Sequence, residues 1–475
     1  MAVYAGGFGL LAALEHRAYE TGRFDLGNMV QAVWSTAHGR PLDVTELDGD
    51  QINRLAAHVD PLLAAFAPLW WLWPSPTMLL VAQAVAVSLG ALPVFWLARK
   101  HLGSQRLAVL FSLAYLLYAP VQWLALDEFH AVALACPLLL YAVWYLDEGR
   151  LFAALPFLAL AALTKEEVPL VIAGLGVWFA IARGRRVAGT AIAVAGTALS
   201  VFFLTVVMPY FRDGDSPAFY DRYDAVGGSP TGIVKTAFTD PTVLLEAMTQ
   251  GRDLTYLLQL ALPLAGLFLA APLLLLAALP ELAANLLSET ETQTSIEFHY
   301  TAPIAPFLVA GAVFGAARLP RLALLVPAAA LVGAVALGPL WAGELVPERR
   351  SAHDRIAARA VDLVPSDAAV SSTNGLGAHL SARRRVFSFP VVREAEWIAV
   401  DLRRASYLDR RSAPSTAAIP LARLLASGDW STVLEEDGIF VLRRRAADNT
   451  ANNTTRSASR STTSQTRSPT AKSSR

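Results

Sequence analysis

The apolar residues of this chain fall into blocks, and the lengths of those blocks leave little choice of fold. They run at roughly 1 to 14, 76 to 98, 107 to 123, 131 to 146, 151 to 163, 168 to 182, 187 to 210, 254 to 270, 272 to 287, 300 to 317 and 322 to 343. A helix needs about 20 residues to cross the hydrocarbon core; some blocks reach that length and others fall short. With 55% hydrophobic and only 16% charged residues over 475 positions, the chain lacks the polar surface of a soluble protein. The expected class is a polytopic all-α membrane protein of about 10 to 12 transmembrane helices.

The first block, "MAVYAGGFGLLAAL", has neither the basic flank nor the small-residue cleavage site of a signal peptide. It reads as part of a span that begins upstream of Met1. Residues 59 to 73 end in Trp70, Trp71 and Trp73 and read as an interfacial or re-entrant segment. Formal charge is zero and 35 of the 39 basic residues are Arg, in short loops and after 345, so no nucleic-acid partner is indicated. The single Cys136, inside an apolar block, excludes an intrachain disulfide and a cysteine metal site.

Basic residues in short connections set the orientation. Arg99, Lys100 and Arg106, then Arg150, then Arg183, Arg185 and Arg186, then Arg318 and Arg321 all fall on one side by alternation, which the positive-inside rule makes cytoplasmic. The opposite connections, "LDEFH", "TKEE", "FRDGDSPAFYDRYD" and "SETETQTSIEFHY", are acidic and polar, and are expected outside. The expected helical domain is 1–344, with an external juxtamembrane helix over 24–40 and an external loop over 211–253. From 345 to 445, short branched runs such as "AAVSST", "RVFSFP", "WIAVDL", "STVLEE" and "GIFVLRRR" alternate with helix-like stretches, which predicts a small external α/β domain. The tail over 446–475 is almost free of apolar residues and is expected to be disordered.

"FDLGNMVQAVWSTAHGR" places Asp25, Asn28, Gln31, Ser35 and His38 along one helical face, which predicts an amphipathic helix with a wet side. Asp127, Glu128 and His130, then Lys165, Glu166 and Glu167, then Glu297 and His299 stand at span ends on that same side. Singly, each marks a water boundary; together they suggest a chemical or ligand site. A carboxylate serving as base and a Lys binding a phosphate headgroup would suit a substrate at the membrane surface, roles that Asp25 and Lys165 match. Mutual neutralisation within "TKEE" is an equal reading. Asp127 with His130, or Glu297 with His299, could hold a divalent cation.

In that order, "GRFDLGNMVQAVWSTAHGR", "HVDPLLAAFAPLWWLWPSP", "DEFH", "TKEEVPLVIAGLGVW", "LPELAANLLS" and "HYTAPIAPF" resemble the prokaryotic predicted membrane proteins of domain of unknown function 2079. The resemblance runs from about 20 to 445. That family is similar to the GT-C superfamily of integral-membrane glycosyltransferases, which take a sugar from a polyprenyl-phosphate donor and use an acidic residue in the first external loop. The resemblance implies a GT-C-like fold in the prokaryotic cell membrane, Asp25 in the place of that acidic residue, and a polyprenyl-phosphate sugar as donor to an unknown acceptor. Substrate contacts then fall to Lys165, Glu166, Glu167, Asp127, Glu128, His130, Asn28, Gln31, Glu297 and His299. Phe219, Tyr220, Tyr223, Asp221 and Asp224 of the long loop could also meet a sugar. This chain has a lone Asp where many such enzymes carry two acids, so a cation is an option and not a requirement. The rivals are a transporter or lipid-binding protein, against which stand charges at span ends and no visible repeat, and a scaffold acting through its external module.

Overall fold

In a computed structural model, residues 1–214, 218–343, 345, 350–406, 409 and 417–445 are described. The chain is predominantly helical through residue 342 and closes with a small sheet. Helix α1 spans Ala2–Arg17 and α2 spans Asn28–Ala37. The apolar blocks recur as helices: Pro76–Leu102, Gln105–Leu117 with Ala119–Leu126 bent by 52°, 131–147, Leu151–Ala162, Val168–Ala182, 186–211, Ala305–Arg318 and 320–342. Among the described residues, three helices are long and apolar enough to span a membrane, or four if the bent pair counts as one span. Five more apolar helices are shorter.

The blocks over 254–270 and 272–287 depart from expectation. They break into Gly251–Ala261, two 3-10 turns, Pro272–Leu275 and Leu279–Leu287. Pro263, Pro272 and Pro280 each remove a backbone donor, and Ala265 and Gly266 take positive φ, so no continuous helix can form there.

The basic connections meet at one end of the bundle. Asp147 collects Lys100 at 2.8 Å, His101 at 2.8 Å and Arg183, while Arg183 and Arg318 line one cavity with His101. At the other end lie the polar loops and the sheet.

A hairpin, β1 (Asp43–Thr45) and β2 (Gln51–Asn53), follows α2. The C-terminal sheet contains β3 (Val370–Ser372), β4 (Val386–Ser388), β5 (Trp397–Asp401), β6 (Trp430–Glu436) and β7 (Ile439–Arg444) in the order β4-β3-β5-β7-β6. The first three are parallel and the last two close an antiparallel hairpin on Asp437 and Gly438, both at positive φ. All five branched runs became strands, and helices Ala352–Leu363 and Ala418–Ala426 occupy the helix-like stretches. The tail expected to be disordered, 446–475, lies outside the described residues, as do 215–217 of the long loop.

Candidate active site

Asp25 is positioned by a turn. After α1 the chain passes through Tyr19, at a φ of 63°, and enters a single wide π turn, Arg23–Gly27, that runs directly into α2. Glu128 holds this turn at both ends: one oxygen accepts from the Gly22 N–H at 2.7 Å and the other from the Leu26 N–H at 2.7 Å. The loop carrying Glu128 is itself pinned by the buried Gln83. Its amide nitrogen donates to the Asp127 carbonyl at 2.8 Å, and its oxygen accepts from the His130 N–H at 2.9 Å.

His130 faces Asp25. Its Nδ1 lies 2.6 Å from the Glu128 carbonyl, and because a carbonyl only accepts, Nδ1 carries a proton and Nε2 is left for Asp25 Oδ1 at 3.3 Å. Burial alone would lower the His130 pKa, but the carboxylates of Asp127 and Asp25 outweigh it and hold it at about 9. At neutral pH the ring is therefore a cation against Asp25. Burial pushes Asp127 up to about 6, opposed by His130 and by backbone donors from His299 and Glu128.

His299 completes the group. Its ring stacks on His130 at 3.7 Å, its N–H donates to Asp127 Oδ2 at 3.0 Å, and its buried Nδ1, 3.4 Å from that oxygen, has no hydrogen-bond partner. Burial, then the cations His130 and Lys165, keeps this imidazole neutral. Asp127, His130 and His299 offer three ligand atoms within 4.8 Å of one another, and the orphaned nitrogen is what a divalent ion would satisfy. Binding one would require His130 to lose its proton.

Lys165, Glu166 and Glu167 form the neighbouring cluster. Lys165 pairs with Glu167 at 2.7 Å and lies over the Tyr300 ring at 5.3 Å. Glu166 accepts from the Val59 N–H at 2.9 Å and meets His58 at 2.8 Å; despite burial, His58 and Lys165 bring its pKa down to about 2. Neutralisation within "TKEE" is thus real: Lys165 and Glu167 form the direct ion pair, and Lys165 also acts on Glu166 at longer range. Glu281 adds to the negative field at Lys165, whose pKa is raised by these acids against the effect of burial.

One sequence expectation needs correction, and three of the expected contact residues stand outside the two clusters. The polar face of α2 is not wet: Gln31 and Ser35 are 1% and 2% exposed. Gln31 accepts from the Thr45 N–H at 2.9 Å and donates to the Arg383 and Arg384 carbonyls at 3.2 and 3.1 Å, so it fastens α2 to the C-terminal module and has no atom left for a substrate. Asn28 accepts from Arg54 at 2.5 Å, and Arg54 in turn grips Asp60 at 2.7 Å, a structural chain. Glu297 is exposed on its loop while His299 turns inward.

A family of predicted membrane proteins, DUF2079, matches residues 16–441. The chain belongs to this family. No curated protein matches the DUF2079 chain. Among solved structures, ArnT from Cupriavidus metallidurans bound to undecaprenyl phosphate is similar at 14% identity with a TM-score of 0.51, over 94% of this chain and 97% of that one. Its apo form is similar at 14% identity and a TM-score of 0.47, over 88% and 93%. The likeness of the bound form shows that the DUF2079 chain shares the fold of ArnT.

Several residues of this DUF2079 site escape a reading of the sequence. Arg222 donates to the Tyr300 hydroxyl at 3.2 Å, placing a second cation at the hydroxyl of the ring that Lys165 lies over. His58 stacks on Phe219 at 5.6 Å, and Tyr223 accepts from Gln293 at 3.3 Å, so the aromatic residues of the long loop cover the Glu166 cluster. Asp221 and Asp224 stay exposed. Glu281 and Gln83 carried a usable signal, a polar residue within an apolar block. His58 and Arg222 carried none.

Proposed function

We propose that this DUF2079 protein is an integral-membrane glycosyltransferase that moves a sugar from a polyprenyl-phosphate-linked donor to an acceptor at the external membrane face. The observation carrying this reading is Asp25 itself: its side chain is 39% exposed while His130 beneath it is 8% exposed, so one carboxylate is reachable at the rim of an otherwise closed polar group. The fold likeness to ArnT, whose structure holds undecaprenyl phosphate, supports the lipid donor. On this reading the four basic connections face the cytoplasm of a prokaryotic cell, the shorter apolar helices complete a multi-pass bundle of about 10 to 12 spans, and the C-terminal module stands outside.

In the proposed reaction the acceptor hydroxyl gives its proton to Asp25 as its oxygen attacks the anomeric carbon. That carbon–oxygen bond forms, the bond from the anomeric carbon to the phosphate oxygen breaks with inversion, and the electron pair leaves on the polyprenyl phosphate. The His130 cation, 3.3 Å from Asp25 Oδ1, orients that carboxylate toward the acceptor. Lys165 and Arg222, both beside Tyr300, take the phosphate, which displaces Glu167 from Lys165. Were a divalent ion held by Asp127, His130 and His299, His130 would be neutral and the ion would supply the positive charge beside Asp25 in its place.

The test is Asp25→Asn in protein reconstituted with polyprenyl-phosphate sugar and membrane acceptors. Transfer should fall by about 100- to 10,000-fold with the melting temperature unchanged. Transfer at the wild-type rate removes Asp25 from the mechanism.

A further inference from the structure

A cavity of about 610 Å³ opens where the end of α1, the start of the helix at Pro76 and the C-terminal module meet. It contains neither Asp25 nor the Lys165 cluster. Arg17 and Arg350 contribute two guanidinium groups to its wall, joined by Tyr19, Ser75, Thr77 and His379. No ion pair engages Arg17 or Arg350 among the described residues, whereas Asp147 neutralises the cations at the other end of the bundle.

Two features mark this cationic cavity as a ligand site, the first of them favouring an anion. The 14-residue helix Pro76–Leu89 begins in the wall, with Ser75 accepting from the Thr77 N–H, so its positive end points into the space. Independently, His379 sits between His16 and Tyr19, each ring at 4.0 Å, and its buried Nε2 has no hydrogen-bond partner. A buried nitrogen without a partner, at the wall of a cavity with two arginines, requires a ligand atom or water to satisfy it.

The depth of the cavity identifies the source of the anion. Trp71 and Trp73, 67% and 45% exposed, precede Ser75 by four and two residues and mark the level of the lipid headgroups. A soluble anion would have to come down to that level, whereas a lipid phosphate is already there.

We infer that this cavity binds the phosphate headgroup of a membrane lipid, gripped by Arg17 and Arg350 at the start of the Pro76 helix, at a site separate from the one holding Asp25. Its occupancy bears on the active turn through the helix Asn374–His379, since Asn374 accepts from the Phe24 N–H at 3.0 Å in the turn that presents Asp25.

The experiment is native mass spectrometry of the full chain released from nanodiscs of phosphatidylcholine containing phosphatidic acid. Wild-type protein should retain one phosphatidic acid, and the double variant Arg17→Gln/Arg350→Gln should retain it at least about tenfold less, the loss expected when two charge-assisted hydrogen bonds disappear. His379→Gln, which keeps the charges and guards against a misfolded double variant, should weaken retention less. Lys165→Ala should leave it intact. Equal retention by wild type and double variant overturns the inference, as does loss in Lys165→Ala alone. Inorganic phosphate at millimolar concentration should not displace the lipid; displacement would reassign the site to a soluble phosphate.

Discussion

Each oxygen of Glu128 accepts one backbone N–H of the turn carrying Asp25. Glu128→Gln keeps one acceptor and turns an NH2 group toward the second donor, so the turn loosens while the fold survives. On the proposed mechanism Glu128 positions the base Asp25, so kcat should fall about 10- to 100-fold with KM nearly unchanged; a rise in KM alone would instead place Glu128 among the substrate contacts. His379 offers a test of sign. Burial, aided by Arg350, lowers its pKa from the ordinary 6.5 to about 4. Between those values the unfolded chain binds a proton that the folded chain refuses, so stability falls as pH drops from about 6.5 to 4, by at most about 3 kcal/mol. His379→Gln removes that slope, and its melting temperature should gain on wild type as the buffer is acidified from pH 7. A difference independent of pH would mean that His379 titrates normally. Asp25 was legible from its place after the first apolar block, but its partner His130 was legible only as a neighbour of Asp127, because a contact across 105 residues leaves no periodicity to read.

At the scale of elements, the ends of most apolar blocks agree with helix ends within a few residues, since hydropathy reports burial in lipid or protein alike. It failed over 254–287, where proline and positive φ break the backbone without lowering hydropathy. How the helices pair is written in small residues. Val168–Ala182 and Arg186–Phe202 pack so closely that a Cβ at Gly189 would lie 2.4 Å from the Ala180 nitrogen and 2.6 Å from the Gly176 carbonyl oxygen. Neither backbone can yield without separating the helices, so a side chain here acts as a wedge. Gly189→Leu should abolish most of the monodisperse protein recovered from membranes on size exclusion. Gly7→Leu, where a Cβ meets nothing within 4 Å, should leave recovery unchanged. Equal recovery of the two would show that this helix pair does not limit folding.

At the scale of the whole molecule, the sequence reading separated helical domain from C-terminal module and made α2 an external juxtamembrane helix with a wet side. The structure joins them through that side. Arg23, 3% exposed, donates to the Val386 carbonyl at 3.0 and 2.6 Å, to Ser388 at 2.6 Å and to the Thr45 carbonyl at 2.7 Å, and Gln31 makes the parallel link one turn beyond Asn28. A polar stripe looks the same in sequence whether water or another backbone satisfies it, which is why the clasp was invisible there. Burial lowers the Arg23 pKa only to about 10, so the guanidinium is charged at neutral pH and its planar fork serves several carbonyls at once, as a lysine could not. The turn holding Asp25 is thus braced by Glu128 from the bundle and by Arg23 from the module. Arg23→Ala should cost about 3 kcal/mol and raise hydrogen exchange together over 23–37 and 383–388, while the Lys100–Asp147 end stays protected. Arg23→Lys should recover little of either. If exchange rose only in the module, the two braces would be independent, and the C-terminal domain would be a passenger on the bundle without a part in holding its active turn.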